Sequence, residues 1–253
     1  MKSAFLALFL LLLPPHAAAL TPADLSAISS SPAPGARVPT AMRFLDERQI
    51  PTAIAPPDNH APVLLLFVAY RCTYLCSVSA PMLAAALDHA GLRPVEDFRL
   101  VALSLDPRDT PAQARAFRAA RLPTSSPAAR AFTLLTGNAR DIAGIMHALG
   151  YSYSYDAAND LFAHDASVYV LTPTGKVARV LPEYQFQPDI LRAALAAPDE
   201  GRPLTALAHT LCYFLTPSQG KYNRTILIGL QAGGALVLLA MALFHMRRLR
   251  RGK

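Results

Sequence analysis

The stretch Val63-Leu64-Leu65-Leu66-Phe67-Val68-Ala69-Tyr70-Arg71-Cys72-Thr73-Tyr74-Leu75-Cys76 decides the fold. Its first part, Val63 to Tyr70, is an unbroken apolar run bounded by Pro62 and a polar loop. A run with no polar alternation predicts a central strand buried on both faces. Ser79 to Ala90 follows with a helical pattern and Pro81 near its first turn. The pair Cys72 and Cys76 therefore falls at a strand-to-helix junction. Two thiols four residues apart at a helix start can share one side of the first turn. The helix N-terminus favours the thiolate, the form needed for both redox attack and metal ligation. Two core cysteines, or an inert structural disulfide, is the plainer reading. The junction position argues against it.

Working outward, Phe44 to Ile50 reads as a short strand or edge, and Arg99 to Leu105 as a second strand. Thr110 and Pro111 form an N-cap and first position for a helix running to about Arg121. Phe132 to Leu135 reads as extended, and Asn138 or Asp141 opens a helix ending before Gly150. Two apolar stretches, Ala166 to Leu171 and Lys176 to Leu181, flank Pro173-Thr174-Gly175 and predict a β-hairpin. Pro188 to Ala196 closes the series as a helix. The order is strand, helix, strand, helix, helix, hairpin, helix. This predicts an α/β fold of thioredoxin-like type, a central mixed sheet flanked by helices. Tyr151, Tyr153 and Tyr155 alternate as one strand face would, and are given no chemistry.

The chain has 253 residues, 53% hydrophobic and 16% charged, with a formal charge of +7. This much apolar content argues against disorder, and three cysteines in this length exclude a disulfide scaffold. The positive charge sits mostly at the ends. Lys2, an apolar run from Ala4 to Leu13 and Ala17-Ala18-Ala19 read as a secretory signal cleaved near Ala19. Thr225 to Phe244 carries no charge and matches the thickness of a membrane core. Arg247, Arg248, Arg250, Arg251 and Lys253 follow it and mark a cytoplasmic side. Setting aside Lys2 and those five leaves 18 positive against 17 negative residues. A nearly neutral exported body has little support for a nucleic-acid role. Signal type and basic tail point to a bacterial inner membrane, crossed once, with the body in the periplasm and the C-terminus in the cytoplasm.

A soft-metal site on the two thiols needs a further ligand, and His164, just before the hairpin strand, is the candidate. In a thioredoxin-like sheet the loop entering this strand lies beside the redox loop. Two thiolates and one imidazole suit copper best: thiolates select Cu(I), and the nitrogen also admits Cu(II). Structural zinc would want a fourth protein ligand.

Four motifs in order then resemble the SCO/SenC family. They are Tyr70-Arg71-Cys72-x-x-x-Cys76, Ser104-Leu105-Asp106-Pro107-Arg108-Asp109-Thr110-Pro111, Leu135-Thr136-Gly137 and His164-x-x-x-Tyr169-Val170-Leu171-Thr172-Pro173-x-Gly175-Lys176. The resemblance runs from about Phe44 to Ala196. It implies a membrane-tethered thioredoxin-like copper chaperone that helps assemble the dinuclear copper centre of cytochrome oxidase. It implies Cys72, Cys76 and His164 as copper ligands and Asp106 as the acidic residue near the site. Asp-Pro after a strand is also ordinary turn chemistry, which stays open for Asp106. The family usually has Pro after the first cysteine, and often after the second, where this chain has Thr73 and Ser77. Many relatives are anchored by an N-terminal span, whereas here the expected span is C-terminal.

The expected organisation is a signal peptide over 1–19, a flexible linker over 20–42 and a copper-binding domain over 43–197. A connector over 198–224, a transmembrane helix over 225–246 and a basic cytoplasmic tail over 247–253 follow. The expected partner is a copper-bearing oxidase subunit or another copper chaperone. This is transfer rather than catalysis. The alternative is a thiol–disulfide oxidoreductase in which Cys72, taken as the more exposed thiol, attacks a partner's cysteines and Cys76 resolves. A thiol peroxidase has less support, because no activating constellation surrounds one cysteine. Cys212 is the odd thiol: the default reading is a buried apolar residue, with pairing between chains or, with His209 beside it, a second metal contact as alternatives. His60, His89 and His147 have no partners at ligand spacing.

Overall fold

A computed structural model describes residues 20–72, 78–157 and 159–196, together with Gly233, Gly234, Val237 and Met241. The chain divides into two compact units, Met1–Gly201 and Arg202–Lys253. In the first, the helices are α1 Pro22–Ser26, α2 Ser79–His89, α3 Pro111–Arg121, α4 Pro127–Arg130, α5 Ala139–Ala148 and α6 Pro188–Ala196. The strands are β1 Ser29–Ser30, β2 Phe44–Asp46, β3 Pro51–Thr52, β4 Val63–Val68, β5 Arg99–Ser104, β6 Phe132–Thr136, β7 Tyr151–Asp156, β8 Leu161–His164, β9 Val168–Leu171 and β10 Val177–Leu181.

Seven strands form one mixed sheet in the order β10-β9-β4-β5-β6-β2-β3. β4, β5 and β6 run parallel, and β9 lies antiparallel against β4. The apolar run quoted first is its central strand. All six residues of β4 are buried, and their alternation divides them between two cores. Leu64, Leu66 and Val68 pack with Leu83 and Leu87 of α2, Phe117 of α3 and Leu191 of α6. Val63, Leu65 and Phe67 face Ile142 and Ile145 of α5, with Tyr151 and Phe162. A strand with helices on one face and a helix plus hairpin on the other has no solvent side, hence the absence of polar residues. The thioredoxin-like expectation agrees with this architecture.

Local signals acted where they stood. Thr110 is extended, Pro111 is the first residue of α3, and Gln113 accepts the Thr110 N–H at 2.6 Å. The β9–β10 turn places Gly175 at φ +80°, where a side chain would be strained.

One expectation needs correction. The stretch 20–42, expected as a flexible linker, is docked. β1 pairs antiparallel with β7, Arg37 bridges to Lys176, and Val38 is buried. Its Ser and Pro content reflects caps and turns rather than freedom, as in the Thr21–Asp24 capping box that opens α1. The tyrosine-rich stretch is a strand, as its alternation predicts, and lies in a hairpin: β1, β7 and β8 form a second, three-stranded antiparallel sheet. Gly150 enters it at φ +59°, its Cα so near Ser31 that an added Cβ would lie 2.2 Å from the Ser31 carbonyl oxygen.

Among the described residues no helix is long and apolar enough to cross a membrane. The expected signal at 1–19 lies outside them. So does the expected span at 225–246, except for Gly233, Gly234, Val237 and Met241, which are helical. The connector, Cys212, His209 and the basic tail are likewise outside.

Candidate metal centre

Beyond the C-terminal end of β4, the chain turns through Ala69-Tyr70-Arg71-Cys72, with the Cys72 N–H donating to the Ala69 carbonyl at 3.0 Å. Tyr70 anchors this turn inward. Its ring lies 5.2 Å from that of Phe117, and its hydroxyl reaches the Ala102 and Leu135 carbonyls at 2.9 and 3.0 Å. Cys72 is a free thiol and is only 8% exposed. Its expected role as the more exposed, attacking thiol is a comparison with Cys76, which falls within 73–77, outside the described residues. Cys72 belongs to the same apolar layer as Phe67, Tyr151 and Phe162.

His164 is the last residue of β8, not a residue of the loop before the next strand, and sits opposite Tyr153 of β7. Its Nδ1 lies 2.9 Å from the Tyr151 hydroxyl and 3.1 Å from the Asp165 carbonyl. Its Nε2 is buried and has no hydrogen-bond partner among the described residues. Burial pushes the imidazole below its ordinary value, against the Asp165 contacts, which keeps the ring neutral. A buried, neutral imidazole with one bare nitrogen is costly unless something binds it. A soft metal held by thiolate and imidazole fits that vacant nitrogen. Among the described residues no three His, Cys, Asp or Glu side chains gather closely enough to hold a metal.

Asp106 is 3% exposed, and its carboxylate is fully engaged. Oδ1 accepts the Arg108 backbone N–H at 2.9 Å and Nε at 2.8 Å, and Oδ2 accepts Arg108 Nη2 at 2.8 Å and Arg71 Nη2. Burial works against the charge, but the two guanidinium groups and the backbone outweigh it and hold the carboxyl below the usual range. Asp109 completes the clamp. It accepts the Tyr70 N–H at 2.9 Å, Ser104 Oγ at 2.6 Å and Arg71 Nε at 3.2 Å. Burial raises the Asp109 carboxyl above its ordinary value.

Arg108 also reaches across to Asp160 at 2.6 Å, and Tyr155 donates to the same oxygen at 2.7 Å. Its guanidinium stands over the Tyr155 and Phe162 rings at 5.5 and 6.0 Å. The chain Arg71–Asp106–Arg108–Asp160–Tyr155 therefore ties the cysteine turn to the hairpin that ends in His164. Sequence reading named Asp106 but missed Arg71, Arg108, Asp109, Asp160 and Tyr151. The available signal was the charge-dense Asp106-Pro107-Arg108-Asp109 run immediately after a buried strand. His60, His89 and His147 are exposed.

A family model described as SCO1/SenC matches residues 52–200, more than half of the chain. The chain belongs to the SCO1/SenC family. Arabidopsis thaliana ScoI, solved with copper bound, is similar at 19% identity and TM-score 0.52, covering 65% of this chain and 97% of that one. Bradyrhizobium japonicum ScoI, also solved with copper bound, gives 19% identity and TM-score 0.50, over 61% and 95% of the two chains. BsSco, a member of the Sco family of cytochrome c oxidase assembly proteins, gives 18% identity and TM-score 0.53, over 69% and 99%. At such identities the likeness is one of fold. No curated protein matches the chain.

Proposed function

We propose that this SCO1/SenC member binds copper through Cys72, Cys76 and His164 and delivers it to the copper-bearing subunit of cytochrome c oxidase by ligand exchange. The observation that carries the reading is His164 Nε2, buried, neutral and without a partner among the described residues, on the hairpin strapped to the cysteine turn. Family membership and the copper-bound structures of the two ScoI proteins support it. Copper is cargo in this reading, so the site must hold it and also release it. Two thiolates and one imidazole leave an open position at which an incoming ligand can begin the exchange. In the same proposal the body is exported to the periplasm and held at the inner membrane by residues 225–246. The charge-free run and basic tail support that placement.

The test is titration of the reduced chain with Cu(I) against a competing chelator, with Cys72→Ser, Cys76→Ser and His164→Ala alongside. One copper per chain is expected, and each substitution should weaken binding strongly. Stoichiometric binding that survives His164→Ala would sink the ligand set. The dithiol-exchange reading, in which Cys72 attacks, has less support because that thiol is buried.

A further inference from the structure

We propose that Tyr151 is a positioning residue for the metal: with the Asp165 carbonyl it keeps the His164 proton on Nδ1, so that Nε2 presents its lone pair to copper. This rests on the copper-binding reading above. Three polar atoms form a triangle. The Tyr151 hydroxyl lies 2.7 Å from the Asp165 oxygen, and His164 Nδ1 lies 2.9 Å from the hydroxyl and 3.1 Å from the carbonyl. The carbonyl can only accept, and the hydroxyl has one proton. When the hydroxyl donates to the carbonyl, Nδ1–H donates into the triangle and every member is satisfied. When the hydroxyl donates to Nδ1 instead, the carbonyl faces the triangle with no donor. The ring proton then sits on Nε2, which is buried without an acceptor. An unpaired buried donor costs about 1–3 kcal/mol. The first arrangement is therefore the stable one, and it leaves the outward nitrogen bare.

Tyr151 is itself held in place. Its ring packs 4.3 Å from Phe67 of the central strand, and its backbone pairs with Ser30 of β1. The next residue is tied as well, with Ser152 Oγ donating to the Ala27 carbonyl at 2.5 Å. Partners of this kind behind a metal-bound histidine fix its tautomer and ring orientation, and their loss typically weakens metal binding by about 10–100-fold.

The experiment uses the full chain labelled with 15N-histidine, the His164 signals being identified by their loss in His164→Gln. In the metal-free protein at neutral pH, His164 should carry its proton on Nδ1. Tyr151→Phe keeps the buried ring and removes only the hydroxyl. It should leave the proton on Nδ1, held by the Asp165 carbonyl alone, shift the His164 nitrogen signals, weaken Cu(I) binding about 10–100-fold and alter the Cu(II) electron paramagnetic resonance signal. A proton found on Nε2 in the unsubstituted protein overturns the proposal. So does a Tyr151→Phe affinity within about twofold of the parent while His164→Ala loses binding; the copper site then stands and only the role of Tyr151 falls. If His164→Ala binds copper like the parent, the ligand assignment fails and the positioning role fails with it.

Discussion

Replacing Asp106 by Asn tests the strap between the two halves of the site. The carboxylate accepts four charge-assisted or backbone hydrogen bonds, from Arg71 and Arg108. An amide keeps one oxygen acceptor and turns its own N–H groups toward guanidinium donors. Breaking a buried ion pair typically costs about 3–5 kcal/mol. Here the guanidinium partners are 40% and 48% exposed, so water takes up part of the loss. Arg71 also retains Asp109, and Arg108 retains Asp160. About 2–3 kcal/mol remains, which for a domain of this size lowers Tm by about 4–12 °C. Thermal unfolding followed by circular dichroism at pH 7 measures it. The pH dependence gives an independent check. The Asp106 carboxyl lies below its usual value when folded, so its contribution is complete above the unfolded value near 3.8 and disappears as pH falls through the folded one. The gap between Asp106→Asn and the parent should therefore narrow below pH about 4. A gap under about 1 °C at pH 7, or one that widens in acid, refutes the reasoning.

Arg108→Ala removes the link to Asp160 and the cover over Tyr155 and Phe162. Hydrogen exchange should quicken across β7 and β8 at least tenfold while β4 and β5 stay protected, since local opening can precede global unfolding. Gly150→Ala forces a Cβ onto the Ser31 carbonyl from a positive-φ position. Urea unfolding should show a loss of about 2 kcal/mol or more, with proteolysis appearing between residues 20 and 31. Copper affinity should fall as pH drops from 8 to 6.5, because thiols must lose protons to bind. Burial lowers the His164 value, which favours the neutral ring over that range. The affinity ratio of parent to His164→Ala should thus stay constant over that range and begin to fall only in more acid solution.

What was legible in the sequence was whatever one segment decides alone. Val63 to Val68 could only be a strand covered on both sides, and Thr110-Pro111 could only open a helix, because neither depends on a distant partner. The cysteine position followed from these. His164 was singled out, yet its strand was not, because β8 exists only by pairing with β7, a strand of alternating Tyr and Ser with weak apolar contrast. The arm at 20–42 was misread for the same reason. Its two-residue strand has no signature of its own and is made by Gly150 letting the chain pass closely. Asp106 was visible as a residue but not as a clamp, since its partners lie 35 residues upstream and two residues on.

The docked arm also bears on where this domain begins. A chain trimmed to start at residue 43 would keep every candidate ligand and the whole region matched by the family. It would lose Ser30, the backbone neighbour of Tyr151, and the carbonyls of Asp24 and Ala27 that Ser154 and Ser152 grip. The sheet bearing His164 would shrink to a lone hairpin, and isolated hairpins are marginally stable in water. Such a fragment would retain the parts of the copper site but not the stiffness of its histidine side, and its affinity would understate that of the intact chain.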